Sequence, residues 1–239
     1  MKIAVISDIH ANLEALKTVL NYLQTQRISK IICLGDVVGY GPRPNECVEL
    51  VKTHCDVCLM GNHDHAVLGL TDSRYFNEYA RDAVRWTRRE ISHHNKTFLS
   101  SLPFTCEIEN TLLVHSSPLE PNKWHYILNG DDAHRNFENT RHRLIFIGHS
   151  HVPIIFSQKD GFLRENQLRL NPEDDRYIIN TGSVGQPRDG DARSCFVIYD
   201  DQEHTLEYIR LPYPIEITSQ EIIDQGLPRV LAMRLFAGQ

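Results

Sequence analysis

The chain has 239 residues, of which 41% are hydrophobic and 23% are charged, the balance of an ordinary globular domain rather than of a disordered or fibrous chain. Its formal net charge of −6 gives no basic excess, so we expect no nucleic-acid partner. No apolar run is long enough to cross a membrane, the N-terminus does not resemble a signal peptide, and the six cysteines lack the spacing of a secreted disulfide framework, so we expect a cytoplasmic protein with reduced thiols.

Strand and helix patterns alternate over the first sixty residues. Short runs rich in Ile and Val predict strands at residues 2–7, 30–34 and 56–60. A leucine stripe at steps of three and four residues, preceded by Asn12 as a potential cap, predicts a helix over residues 12–26, and a second helix is predicted over residues 45–54. Strands that alternate with helices at this spacing indicate βαβ units and a parallel sheet.

The remainder of the chain is predicted to be helical first and rich in strands later. A mainly helical stretch over residues 76–101 precedes two strands within residues 105–115 and a helix over residues 131–138. Further strands are predicted at residues 144–147, 154–157, 177–180, 194–199 and 204–211. Because no interdomain linker is evident, we expect one domain over residues 1–239, with a C-terminal helical segment from about residue 215.

Two local patterns have structural explanations. Four arginines within residues 81–89 predict a solvated helix face, with a phosphate-contacting face as the alternative. The pair Cys55 and Cys58 has no second pair at zinc-finger spacing, so it is expected to pack in the core rather than to act in redox chemistry.

Potential metal ligands lie just past the ends of the predicted strands. In open α/β sheets, ligands bind beyond the carboxyl ends of the strands, so such side chains can converge although they are distant in sequence. Glycines 35, 61 and 148 come directly before members of the set and allow a tight strand exit. The set consists of Asp8, His10, Asp36, Asn62, His115, His149 and His151.

The chemistry of these seven side chains favours two metal ions over one. A single ion rarely uses seven protein ligands, whereas two ions about 3.5–4 Å apart can share a bridging carboxylate. The mixture of imidazole, carboxylate and amide suits a transition metal better than Mg²⁺. We therefore expect two divalent metal ions per chain, Mn²⁺ first, with Fe, Ni²⁺, Zn²⁺ and Co²⁺ as alternatives. Of the nine histidines outside this set, all except His63 match no motif and are expected at the surface or in satisfied structural positions.

Five short motifs occur in order along the chain: Asp8-Ile9-His10, Gly35-Asp36, Gly61-Asn62-His63-Asp64, His115 and Gly148-His149-Ser150-His151. Each motif is weak alone. Together, in this order and each at a predicted strand end, they resemble the motifs of the calcineurin-like metallophosphoesterase superfamily. The resemblance covers roughly residues 1–200, and residues 35–42 resemble its compact prokaryotic branch, which includes the YfcE-like phosphodiesterases.

The resemblance implies a fold and a role for each motif residue. The implied fold is a four-layer α/β sandwich with two central mixed β-sheets flanked by helices. His63 would donate a proton to the leaving group, and Asp36 would bridge the metals. The implied ligands of one metal are Asp8, His10 and His151, and those of the other are Asn62, His115 and His149.

The chain also departs from some members of that family. Where phosphoprotein phosphatases carry Asp-Arg-Gly after the Gly-Asp motif, this chain has Val37-Val38-Gly39-Tyr40, so the expected phosphate-clamping arginine is missing and a protein-phosphatase role is disfavoured. Ser116 follows His115 where many relatives have glycine, which leaves the ligand in place but alters the turn.

These observations predict a phosphoesterase that acts on a small phosphorylated substrate, with nucleotides among the candidates. A hydroxide bridging the two metals would attack phosphorus, and His63 would protonate the departing oxygen. One alternative keeps the enzyme but makes it a dinucleoside polyphosphate or pyrophosphate hydrolase. Another is a non-catalytic metal-binding scaffold of the same fold, which the complete ligand set disfavours. His63 could instead be a structural histidine bonded to Asp64.

The loop over residues 180–188, rich in Gly and Ser, is a candidate to close on the site. Arg188 at its end suits bidentate recognition of phosphate, although an ion pair with Asp189 or Asp191 is an equally good interpretation. Tyr40 could border the pocket because it lies near Asp36 in sequence.

Overall fold

The computed structural model describes residues 1–72, 74, 76–163 and 165–239, and within them two six-stranded β-sheets lie at the centre of the molecule. The first sheet contains, from edge to edge, β3 (Val57–Cys58), β2 (Lys30–Cys33), β1 (Lys2–Ile6), β11 (Ser194–Asp200), β12 (Thr205–Leu211) and β9 (Gln167–Arg169). The second sheet contains β4 (Thr105–Ile108), β5 (Thr111–Val114), β6 (Leu144–Ile147), β10 (Tyr177–Asn180), β7 (Ile154–Ser157) and β8 (Gly161–Leu163).

Both sheets are mixed. In the first, β1, β2 and β3 run parallel, whereas β11, β12 and β9 pair antiparallel with their neighbours. In the second, β5, β6 and β10 run parallel, and β4, β7 and β8 pair antiparallel. The parallel pairing predicted from the early βαβ pattern is therefore confirmed. Each parallel group directs several carboxyl ends to one edge of its sheet.

Helices flank the sheets, and within the described residues they number eight. They are α1 (Leu13–Thr25), α2 (Pro44–His54), α3 (Asn62–Val67), α4 (Glu78–Glu90), α5 (His93–Ser100), α6 (Gly130–Glu138), α7 (Ile215–Asp224) and α8 (Arg229–Ala237). The Asn12 side chain caps α1 by accepting a hydrogen bond from the Ala15 N–H at 3.2 Å, and Leu16 and Leu23 bury the inner side of that helix.

Three apolar clusters account for the layering. Between the two sheets lies a cluster that includes Val5, Leu34 and Phe146. A larger cluster packs α1 and α2 against the outer side of the first sheet, and a third packs α6 against the outer side of the second through Phe137. The predicted four-layer α/β sandwich with two central mixed β-sheets is thus confirmed, and burial of these apolar side chains is its main stabilising contribution.

Some element boundaries differ from those predicted. The strand predicted over residues 56–60 is reduced to the two residues of β3, and the helical stretch over residues 76–101 divides into α4 and α5, where Ser92 caps α5 by accepting from the Asn95 N–H. The sequence patterns also missed β8 and β9. Each has three residues, mostly exposed, so neither contains the apolar run that marks a buried strand.

The arginine run of residues 81–89 and the pair Cys55 and Cys58 have the structural positions expected of them. Arg85, Arg88 and Arg89 of α4 are exposed. All six cysteines are free, and Cys55 and Cys58 pack against the helix side of the first sheet, where burial raises the pKa of the Cys55 thiol well above its usual value. Within the described part of the chain, we find no helix that is both long and apolar enough to span a membrane.

Helices α7 and α8 cover the edge of the first sheet at which the sequence motifs lie. Asn12 donates to the Tyr213 hydroxyl at 3.1 Å and accepts from the Thr218 hydroxyl at 2.9 Å, which attaches the start of α7 to the start of α1. Leu231 and Leu235 of α8 belong to an apolar cluster that includes Tyr40. The C-terminal segment therefore supports the loop that follows β2.

Candidate metal centre

The loops that leave the central strands are joined to one another by backbone hydrogen bonds. The Asp8 N–H donates to the Gly35 carbonyl at 3.0 Å, and the His10 N–H donates to the Asp36 carbonyl at 2.9 Å. In the second sheet, the Gly148 N–H donates to the His115 carbonyl at 2.9 Å. Parallel strands thus deliver these residues in pairs to the same edge of each sheet.

The two sheets meet at this edge. The His149 N–H donates to the Asp8 carboxylate at 3.0 Å, so a residue after β6 is bound to a residue after β1. The close approach of these loops to one another requires glycine at two positions. A Cβ at Gly148 would collide with the Ser7 and Asp8 side chains, and one at Gly61 would collide with Asp36.

Five of the seven predicted ligands have a left-handed backbone conformation. Their φ angles lie between 52° and 68°, in a region that residues other than glycine rarely adopt. Such strained backbone concentrates at functional sites, where the surrounding structure holds it in place. These five residues are Asp8, His10, Asp36, His149 and His151.

One group of side chains brings together Asp8, His10, Asp36 and His151, whose potential ligand atoms all lie within 4.8 Å of one another. The Nε2 atoms of His10 and His151 are 3.0 Å apart. Asp8 Oδ1 lies 3.2 Å from His151 Nε2, and Asp36 Oδ2 lies 3.6 Å from His10 Nε2. All four residues are buried.

A second group contains Asp36 again, with His115 and His149. His115 Nε2 lies 3.5 Å from Asp36 Oδ2 and 3.2 Å from Asn62 Oδ1. The structure therefore brings together all seven side chains that the sequence singled out as ligands. It places Asp36 between the two groups.

His63 lies beside the first group, with its ring surrounded by other rings. The ring centroids are 4.4 Å from Tyr40 and 4.9 Å from both His10 and Phe76. Its Nδ1 is buried and has no hydrogen-bond partner among the described residues. Burial lowers the pKa of His63 well below its usual value.

The alternative of a hydrogen bond between His63 and Asp64 is not what the structure contains. The Asp64 carboxylate accepts from the backbone N–H groups of Gly61, Val37 and Val38 at 3.0, 3.3 and 3.1 Å. Asp64 thus fixes the loop after β2 against the start of α3. His63 is left facing the adjacent cavity, where Tyr40 and Arg188 also lie.

Arg188 points toward that cavity rather than toward the neighbouring aspartates. Its Nη2 donates to Gln186 Oε1 at 2.8 Å and to the Tyr40 hydroxyl at 3.3 Å, while Nε is buried without a partner among the described residues. Asp189 pairs with Arg210, and Asp191 pairs with Arg193. The ion pair weighed as an alternative for Arg188 is therefore wrong.

The sequence profile of the calcineurin-like phosphoesterase superfamily domain matches residues 1–203. The chain belongs to this superfamily. An uncharacterized protein of Methanocaldococcus jannaschii is 43% identical over 245 residues, which cover 99% of this chain and 98% of that protein. A solved metallophosphoesterase from Sphaerobacter thermophilus is 39% identical, with a TM-score of 0.90, over 100% of this chain and 99% of that chain. A hypothetical protein from Pyrococcus horikoshii shares the fold, with a TM-score of 0.81 at 18% identity, over 100% of this chain and 98% of that chain.

A calcineurin-like phosphoesterase implies divalent metal ions, and the hydrogen bonds of this chain fit them. The Nδ1 atoms of His10, His115 and His151 each face a backbone carbonyl, at 3.2, 3.2 and 2.6 Å. A carbonyl only accepts, so each Nδ1 carries a proton, and a neutral ring held in this way turns its Nε2 lone pair inward. His149 uses the opposite nitrogen. Its Nε2 faces the Trp124 carbonyl at 3.0 Å, which leaves Nδ1 as the nitrogen that would bind a metal ion.

The charges of the metal-free site lead to the same conclusion. Burial opposes ionisation of Asp8, but His151 and His10 outweigh it and hold the pKa of that carboxyl well below its usual value. Burial lowers the pKa of His149 to about 3. Burial also acts to lower the pKa of His115, but the adjacent Asp36 carboxylate outweighs it and raises that pKa to about 9. A buried carboxylate pair needs positive charge nearby, which a divalent ion would supply.

Sequence reasoning missed part of the cavity that adjoins this centre. The cavity has a volume of about 860 Å³ and is lined in part by His65, Phe104, Trp124 and Tyr126. His65 had been grouped with surface or satisfied histidines, and its Nδ1 is indeed satisfied by the Thr71 hydroxyl at 2.6 Å, but its ring faces the cavity. The one available signal was a large aromatic residue, Trp124, inside a polar, turn-forming segment.

Proposed function

We propose that this protein is an enzyme that hydrolyses a small phosphate monoester or diester with two divalent metal ions, Mn²⁺ first among the candidates. The observation that carries the proposal is the position of Asp36, which belongs to both groups of buried, metal-capable side chains. Asp8, His10 and His151 would complete the ligands of one ion. Asn62, His115 and His149 would complete those of the other.

The chain's own residues would bind the phosphate and supply a proton. When bound, two such ions lower the pKa of water and neutralise charge on the phosphoryl oxygens. Arg188 has a buried Nε without a partner among the described residues, and a phosphate oxygen is the acceptor that suits a guanidinium. Arg188 would thereby replace the arginine that is missing after Asp36.

His63 would donate the proton to the leaving oxygen. The His63 ring lies in the cavity wall, where a substrate can reach it, while its Nδ1 is buried against Gly39. Burial keeps the pKa of His63 low in the free protein, and the negative charge of a bound phosphate would oppose that shift. A donor of this kind contributes about 10²–10⁴-fold to the rate.

The experiment that tests the proposal is metal stripping followed by reloading and assay. The stripped protein would be loaded with Mn²⁺ and assayed with bis-p-nitrophenyl phosphate and p-nitrophenyl phosphate, while bound metal is counted by mass spectrometry. We expect two ions per chain and turnover that requires them. The ratio of the two rates would assign diester or monoester preference.

Other outcomes of the same experiment distinguish the alternatives. Two bound ions without turnover on either compound would favour the scaffold, or a dinucleoside polyphosphate or pyrophosphate as the natural substrate. Turnover of diadenosine tetraphosphate or pyrophosphate would then favour a hydrolase of that class, and no turnover of either would favour the scaffold. Absence of metal binding would refute the proposal.

A further inference from the structure

Three rings form one wall of the cavity beside the candidate metal centre. The ring centroids of Phe104 and Trp124 are 5.7 Å apart, and that of His65 lies 5.7 Å from Phe104 and 5.5 Å from Trp124. We call these three residues the aromatic wall. All three are partly exposed and line the cavity, although rings of this size are usually covered when the core offers space.

The aromatic wall touches the metal centre directly. The Trp124 ring centroid is 6.1 Å from that of His115, and the Trp124 carbonyl accepts from His149 Nε2 at 3.0 Å. The wall therefore adjoins the position at which two metals would hold a phosphorus atom, within reach of a substituent on that phosphorus.

The position of Trp124 is fixed by its backbone. Glu120 and Trp124 both adopt left-handed conformations, with φ of 51° and 61°, on either side of the short 3-10 turn Pro121–Lys123. Residues other than glycine pay a conformational cost there, so the surrounding structure must hold the turn. This is the arrangement expected of a ring that is positioned in advance for a ligand.

A fourth ring extends the aromatic surface. Tyr126 stacks on His149 with centroids 4.0 Å apart and planes at 17°, yet the tyrosine is 48% exposed. Arg188 lines the same cavity, as do Asn122 and Asn77, whose Oδ1 caps α4. The cavity thus combines an anion-binding group, a flat apolar surface and hydrogen-bonding groups.

We infer that the substrate is a nucleoside phosphate, whose base stacks on Trp124 while its phosphate lies at the metal centre. This inference rests on the proposed function for the position of the phosphate. A purine or pyrimidine has the flat face that an aromatic wall binds, and its edge can bond the side-chain amides. Stacking of this kind tolerates any base. We therefore expect the site to select phosphates that carry a nucleobase, without discriminating among the bases.

The two tryptophans of the chain make the inference directly measurable. Trp86 is 9% exposed, packs in the apolar cluster that α4 forms with α7 and α8, and is not among the residues that line the cavity. The Trp86→Phe variant therefore leaves Trp124 as the only tryptophan. Binding would be followed by stopped-flow fluorescence of this variant loaded with Mn²⁺, before turnover. We expect AMP to quench the emission in a saturable way and ribose 5-phosphate to leave it nearly unchanged.

A second variant tests whether the ring itself contributes affinity. Trp124→Leu, which keeps the backbone carbonyl that accepts from His149, should raise the ratio of the AMP dissociation constant to that of ribose 5-phosphate about tenfold, whereas Trp124→Phe should change it little. Dissociation constants of these variants would be measured by calorimetry in a His63→Gln background, in which hydrolysis of AMP is slowed by about 10²–10⁴-fold, and circular dichroism would check folding.

The outcomes separate this inference from the proposed function. Equal quenching by AMP and ribose 5-phosphate, or a ratio unchanged in Trp124→Leu, would overturn the inference even if metal-dependent hydrolysis is observed. Selective quenching by AMP would support it even in a protein that fails to hydrolyse any ester.

Discussion

The Nε2 atoms of His10 and His151 face each other at 3.0 Å, while the Nδ1 atom of each ring is bonded to a backbone carbonyl. Two neutral imidazoles in this arrangement turn their lone pairs toward one point. Asp8 Oδ1 lies 3.2 Å from His151 Nε2 and has no hydrogen-bond partner among the described residues. A divalent cation is the group that satisfies all three atoms at once.

Metal removal should destabilise the folded protein. An ion that binds only the folded state stabilises it by about 4 kcal/mol when its concentration is a thousand times its dissociation constant. We therefore expect a chelator to lower the Tm by several degrees and Mn²⁺ to restore it, as followed by calorimetry. An unchanged Tm after verified metal removal would count against a built metal site.

Replacing His63 with glutamine should lower kcat without loss of metal. We expect a loss of about 10²–10⁴-fold for an alkyl phosphate, because its leaving oxygen needs a proton. The loss should be much smaller for p-nitrophenyl phosphate, whose leaving group departs without one. His134→Gln, on a side chain that is 68% exposed, is the matched control and should change neither rate. Equal losses for both substrates would argue against a proton-donor role.

Replacing Arg188 with methionine should weaken substrate binding. The change removes a guanidinium that we place on the phosphate, so KM should rise about tenfold or more, in line with a lost charge-assisted hydrogen bond. Arg193→Met is the matched control, because Arg193 pairs with Asp191 at the surface instead. If steady-state kinetics give both variants the same KM, Arg188 has no special role in binding.

Adding a methyl group at Gly61 should disturb the bridging carboxylate. A Cβ there would collide with Asp36, so Gly61→Ala should lose bound metal and destabilise the fold by about 1–3 kcal/mol. At Gly130 a Cβ would meet nothing within 4 Å, which makes Gly130→Ala the control. Metal content and urea unfolding would be measured for both. Full metal content in Gly61→Ala would contradict the tight approach described above.

Much of the fold could be predicted because its central strands are buried on both faces. β6 and β10 have four buried residues each. The apolar run of β6 ends where the strand ends, and that of β10 ends one residue earlier, at Ile179. β8 and β9 could not be predicted, since their exposed residues form no apolar pattern, and β9 in addition pairs with the distant strand β12.

The candidate site likewise has one part that could be predicted from the sequence and one part that could not. Its potential ligands follow predicted strands, and this position indicated that side chains as distant in sequence as Asp36 and His115 can converge. The aromatic wall could not be foreseen, because Trp124 lies in an irregular loop and contacts His65, Phe104 and His149, which are distant in sequence. Arg188 was ambiguous for a related reason, since the partners of Asp189 and Asp191 are known only once the loop is folded.

The most direct test of a two-metal centre is anomalous diffraction from crystals of the protein loaded with Mn²⁺. Our account predicts two anomalous peaks about 3.5–4 Å apart, with Asp36 bound to both. One peak should also contact His10 and His151, and the other His115 and His149. A single peak, or two peaks that do not share Asp36, would contradict the central claim.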